Sequence, residues 1–176
     1  MSKIGKKKIF LSSSNTISLN NNLIKISGRI GTLSLRVFKF INISLTSKYL
    51  LLYTKTKMKK NIAFLGLFRT IINNILFGVN YGYLKILELK GIGFKTYMNK
   101  NFLVFSLGYS HDVIYHFPKN VIIRSLGNKI EIFSCDKQLV GQVSFDIRNL
   151  KRINSYKVKG IKYLFEDIVT KIGKKK

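Results

Sequence analysis

Every acidic side chain of this 176-residue chain lies at Glu88 or later, so the first half holds no carboxylate at all. That half cannot neutralise itself by internal ion pairing. Across the whole chain 32 Lys and Arg stand against 7 Asp and Glu, and the formal charge of +25 repels the compact state unless a polyanion takes it up. Nucleic acid is the most economical such partner. The cations are scattered through strand-like segments and both ends instead of lining one face of a single helix, a pattern that favours nucleic acid over a membrane surface.

Other scarcities exclude further classes. One cysteine, Cys135, rules out an intrachain disulfide and any multi-cysteine metal site, and implies a reducing interior. The two histidines, His111 and His116, come with no second ligand set, so no metal is expected. No base is placed beside Cys135, and Gly91-Ile92-Gly93 fails as a dinucleotide fingerprint because Thr96 holds the place of the third glycine. Neither catalysis nor a cofactor is expected. The chain has one Pro, no Trp and a single alanine, Ala63, while Lys, Asn, Ile, Phe and Tyr abound. An AT-rich genome produces this pattern, which leans toward an organellar source. The basic opening MSKIGKKKIF lacks the length of a transit peptide, so import through a cleaved signal finds no support.

What is present is enough apolar material, 46% of residues, for a packed core. Residues 1–10 read as a basic extended arm. Thr16 to Leu19 and Leu23 to Ser27, around an Asn20-Asn21-Asn22 turn, read as a hairpin, and LSLRV and INISL alternate with the period of half-buried strands. The apolar run Ile62 to Leu84 is broken by Arg69, Asn73, Asn74 and Asn80, residues costly in lipid, and reads as a buried helix with Asn61 as its N-cap. Leu65, Phe68, Ile72, Ile75 and Val79 form its apolar face. After Leu84 the order of short strands repeats and closes on a helix capped by Asp136, with Leu139, Val143, Ile147 and Leu150 inward. The Asn turns, the Lys turns and the helix glycines recur at about 80 residues, which gives an α+β chain of two tandem repeats, each a small antiparallel β-sheet packed on one helix. The expected boundaries are 1–10 (arm), 11–83 (first repeat), 84–150 (second repeat) and 151–176 (basic RNA-binding tail).

Five segments, SKIGKKKI, GRIGTL, SLGYSH, DKQLVGQV and YKVKGIKY, occur in an order that resembles the sixth protein of the large ribosomal subunit, the universal L-six family, of bacterial or organellar type. The resemblance implies a non-catalytic constituent of the large subunit. Its partners would be large-subunit rRNA, near the elongation-factor and sarcin-ricin region, and neighbouring large-subunit proteins. A mitochondrial ribosome is expected first, with a plastid or an AT-rich bacterial cytoplasm as alternatives. No membrane, small-molecule substrate or homo-oligomer enters this reading. Against the family pattern, Ser155 replaces a proline and Val158 a glycine.

The candidate rRNA-binding residues are Lys3, Lys6, Lys7 and Lys8 in the arm, His111 in the SLGYSH loop, and Lys151, Arg152, Tyr156, Lys157, Lys159, Lys162, Tyr163, Lys174, Lys175 and Lys176 in the tail. Lys and Arg neutralise phosphates and release counterions, while tyrosine can stack on an unpaired base or bond a ribose hydroxyl. A free nucleic-acid chaperone, a basic peripheral membrane protein and an RNA-modifying enzyme are the rival classes.

Overall fold

A computed structural model describes residues 4–5, 7–20, 22–54, 58–100 and 102–173. The chain divides into two compact units, Met1–Gly82 with Cys135–Lys137, and Tyr83–Ser134 with Gln138–Lys176.

The first unit contains β1 (Ile9–Phe10), β2 (Thr16–Asn20), β3 (Leu23–Ser27), β4 (Thr32–Arg36), β5 (Ile41–Leu45), β6 (Tyr49–Thr54) and α1 (Lys59–Tyr81). Two antiparallel sheets form, in the orders β1-β6-β5 and β2-β3-β4. Alternation decides which faces turn inward: Ile24 and Ile26 of β3, and Leu50 and Leu52 of β6, are buried. On α1 the buried stripe is Leu65, Phe68, Ile72, Leu76 and Val79, at helical spacings of three and four. The GRIG bend fits under the end of this helix, where the Ile30 N–H donates to the Val79 carbonyl at 2.8 Å and a Cβ on Gly28 would lie 2.7 Å from Val79 Cγ2.

Two expectations change here. Asn61 is not the N-cap, because α1 begins two residues earlier after Met58, which makes no side-chain cap. Nor is the helix buried all round: only one face packs, and Phe64, Leu67, Phe77 and Tyr81 remain at the surface. By length and composition alone α1 could cross a membrane.

The second unit contains β7 (Tyr83–Lys90), β8 (Lys95–Met98), β9 (Phe102–Ser106), β10 (Val113–His116), β11 (Ile122–Leu126), β12 (Lys129–Ser134), α2 (Lys137–Leu150) and β13 (Gly160–Tyr163). Its sheets run β11-β12-β7-β13 and β10-β9-β8. The two-residue turn at Gly127-Asn128 works because Gly127 takes φ 63°. The inward side of α2 is Val140, Val143, Ser144 and Ile147, with Leu139 and Leu150 at its margins.

The repeat is visible in the topology. Sheet β1-β6-β5 has the same order as β7-β12-β11, and the meander β2-β3-β4 the same as β8-β9-β10. Starting residues keep the period, with Thr16 and Lys95 79 apart, Tyr49 and Lys129 80 apart, and Lys59 and Lys137 78 apart. Each unit thus has two small sheets to its helix where one was expected. The second unit also has an additional strand, β13, drawn from a stretch that reads in sequence as tail.

Candidate nucleic-acid interface

The basic stretch after α2 is folded. Ile161 is fully buried, and β13 adds antiparallel to β7 with Ile161 opposite Leu89 and Lys162 opposite Glu88. Gly160 makes this possible: at φ 144° its Cα passes so close to the preceding chain that a Cβ would stand 2.6 Å from Ile153 Cα. The intervening residues close a turn in which the Val158 N–H donates to the Asn154 carbonyl at 2.7 Å and the Asn154 N–H to the Lys159 carbonyl at 3.0 Å. The Asn154 side-chain carbonyl accepts from the Tyr156 N–H at 2.8 Å. Tyr156, Lys157 and Lys159 are thereby exposed on a hydrogen-bonded turn, with Tyr156 at 61%. Val158 pays for this geometry with a left-handed φ of 52°, the one positive value outside glycine among the described residues.

The SLGYSH loop meets the start of this stretch. The Tyr109 hydroxyl donates to the Leu150 carbonyl at 3.0 Å, and Lys151 Nζ stands 3.8 Å from the centre of the Tyr109 ring. His111 is exposed beside it, with Nδ1 3.2 Å from Ser110 Oγ. Arg152 is exposed and its Nε donates to Asn149 Oδ1 at 3.0 Å. Sequence spacing could not reveal the join between Tyr109 and Lys151, which are 42 positions apart.

Lys162 and Tyr163 sit differently from the open tail residues expected. Lys162 Nζ lies 3.5 Å from Glu88 Oε2, with its side chain only 12% exposed. The Tyr163 ring is flanked by Lys85 Nζ at 5.1 Å and the Arg148 guanidinium at 5.5 Å. Both are components of a packed corner, in contrast to Lys157 and Lys159, which have no ion pair among the described residues.

Lys7 and Lys8 belong to the first unit, and both are exposed. The Lys7 carbonyl accepts from Arg69 Nε at 3.3 Å, while Lys8 Nζ stands 4.5 Å over the Tyr49 ring. Lys3, Lys6, Lys174, Lys175 and Lys176 lie outside the described residues. Among the described residues no group of three or more His, Cys, Asp and Glu side chains could hold a metal ion. Burial, helped by the Asp136 charge, pushes the Cys135 thiol up, away from nucleophilic thiolate.

Fold and surface together define a duplicated, polycationic α+β protein whose unneutralised lysines stand on ordered turns. Comparison with known proteins makes the family specific. The family described as ribosomal protein L6 matches residues 90–164. Over nearly its whole length the chain is similar to large ribosomal subunit protein uL6 of Phocaeicola vulgatus, at 38% identity over 99% of this chain and 97% of the relative. It is 36% identical to the uL6 protein of Karelsulcia muelleri, over 99% and 98% of the two chains, and 37% identical to that of Novosphingobium aromaticivorans over the full length of both. The chain belongs to the uL6 family of ribosomal proteins.

Proposed function

We propose that this chain is a structural constituent of the large ribosomal subunit and that it binds large-subunit rRNA without catalysing a reaction. Similarity to uL6 proteins along the whole chain is the observation that carries the reading. The net charge supports it, since +25 calls for a polyanion. The two repeats, 11–83 and 84–150, act as tandem modules whose linkage raises the effective concentration of the second contact after the first. Arg152, Tyr156, Lys157 and Lys159 supply salt-sensitive contacts from the turn, with Lys7, Lys8, His111 and Lys151 as further contacts. The terminal lysines, Lys3, Lys6 and Lys174 to Lys176, extend the cationic reach. The site on the subunit is the elongation-factor and sarcin-ricin region, where neighbouring large-subunit proteins complete the surroundings. The AT-rich composition leans toward a mitochondrial ribosome, with a plastid or AT-rich bacterium as alternatives.

Co-sedimentation of the native chain through a gradient at raised salt tests this. Travel with large subunits after the wash is the expected result, and release into light fractions would overturn shape-specific docking. Cell fractionation reads the compartment. The charge of +25 also supports a second reading, a basic peripheral membrane protein drawn to an anionic surface. Preferential binding to anionic vesicles over RNA of equal charge would establish it.

A further inference from the structure

The outer face of sheet β1-β6-β5 carries aromatic rings where the repeat in the second unit carries charged side chains. Phe10 lies opposite Tyr49, and the corresponding register position of the second unit sets Glu88 opposite Lys129. Ile9, Leu50 and Leu52 turn into the core from the same strands, so alternation sends Phe10, Tyr49 and Tyr53 to the other side. Phe10 is 78% exposed and Tyr53 51%. Burying neither ring leaves a large apolar area in water, which a stable fold does not need. Tyr49 and Tyr53 are four positions apart on the central strand, about 13 Å at the rise of a β-strand, so two flat ligands can lie on the face without crowding.

From this arrangement we infer that the outer face of β1-β6-β5 is a stacking platform for unpaired RNA bases. The occupant is a single-stranded segment and not an apolar protein surface, on the ground of charge. Lys8 already stands over the Tyr49 ring at 4.5 Å, exposed Lys7 and Lys48 flank the strands, and no carboxylate occurs before Glu88 to repel a phosphate backbone. Rings interleaved with cations are what a single strand needs, because bases stack on the rings while the cations follow the backbone. The second unit has diverged at these positions: Glu88 lies opposite Lys129 in register and pairs with Lys162 of β13. The two repeats then bind RNA in different ways, the first by stacking and the second by phosphate contacts. This inference rests on the RNA-binding reading above.

The test measures binding of the full chain to a labelled oligouridine and to a duplex RNA of equal charge. Phe10→Ala with Tyr53→Ala should weaken oligouridine binding by about tenfold for each ring lost. The salt dependence should be unchanged, since no cation is removed, and duplex binding should be unaltered. Tyr53→Phe, which keeps the ring, should restore the Tyr53 share. Equal weakening for both RNAs, or no weakening, overturns the platform, as does protection of Phe10 by a protein partner with RNA affinity intact. Should the double variant fail to fold, photocross-linking of the unaltered chain to 5-iodouridine RNA decides. Adducts on peptides carrying Phe10, Tyr49 or Tyr53 support the platform, and adducts confined elsewhere overturn it. A chain that binds neither RNA defeats the broader RNA-binding reading as well.

Discussion

Arg148 on α2 donates to one carboxylate oxygen of Glu166 while the other oxygen accepts the Tyr163 N–H at 3.0 Å, so a single acid fastens the end of β13 to the helix. Burial alone would raise this carboxyl. The Tyr163 N–H and the charges of Arg148 and Lys162 outweigh it and hold the group below its ordinary value of 4.5. A depressed folded-state pKa contributes stability that is present above the unfolded value and lost as pH falls through the folded one. Glu166→Gln should therefore destabilise the chain at neutral pH by about 1 kcal/mol, a modest figure because both side chains remain partly solvated. In acid, below the folded value, the variant and parent should converge. Urea denaturation at both pH values checks this, and an equal gap at each would mean that the charge contributes nothing.

Val158 adopts a left-handed backbone that is costly for a β-branched residue. Glycine adopts it freely but gives up more entropy on folding, which offsets part of the relief. Val158→Gly should raise stability by about 1 kcal/mol. Thermal melting measures the sign, and a lower Tm would show that the Val158 side chain contributes more packing than the strain costs.

The parts of the fold legible in sequence were those set by local chemistry. The asparagine-rich break before Leu23 separates β2 from β3, although β2 runs one residue further than expected, through Asn20; alternation in INISL gives β5 with its bounds, and the period near 80 matches the equal topologies. What escaped reading depends on distant partners. β13 is only four residues, and Lys162 looks like one more solvated cation until Glu88, 74 positions earlier, is seen beside it. The sequence does not mark the start of α1, because Met58 offers no capping side chain there. In the candidate interface the residue types were visible, but sequence could not separate Lys157 and Lys159, held out on a turn, from Lys162 and Tyr163, packed into a corner. The aromatic face of β1 and β6 was hidden for a related reason: only the register shows that Phe10 and Tyr49 share a side.

Gly160 is the most sensitive position in the basic stretch. Alanine there would meet Ile153 Cα at 2.6 Å and the Arg152 carbonyl oxygen at 2.8 Å, both backbone atoms that cannot swing away, and would hold a φ that L residues avoid. Gly160→Ala should cost on the order of 3 kcal/mol and detach β13 from β7. Hydrogen exchange should quicken at Lys162 and Leu164, whose N–H groups turn toward β7, the Leu164 N–H donating to the Ile86 carbonyl at 3.1 Å. If protection there is unchanged, β13 is held by something other than this close approach.

Lys157 and Lys159 on the one hand, and Lys162 on the other, make opposite predictions although all three are lysines within six positions. A phosphate contact releases counterions, so each one lost should flatten the plot of log affinity against log salt by about 0.7 for single-stranded RNA and about 0.9 for a duplex. Lys157→Gln with Lys159→Gln removes two cations that have no ion pair among the described residues, and should reduce the slope by roughly 1.4 to 1.8 if both touch phosphate. Lys162→Gln removes the partner of Glu88 and should lower stability while leaving the slope almost unchanged, because a lysine neutralised within the fold has few counterions to release. Titrations of RNA binding across a salt series, with a denaturation curve for each variant, separate the two cases. An unchanged slope for the double variant would remove the turn from the interface, and a flattened slope for Lys162→Gln would show that RNA competes with Glu88 for that ammonium.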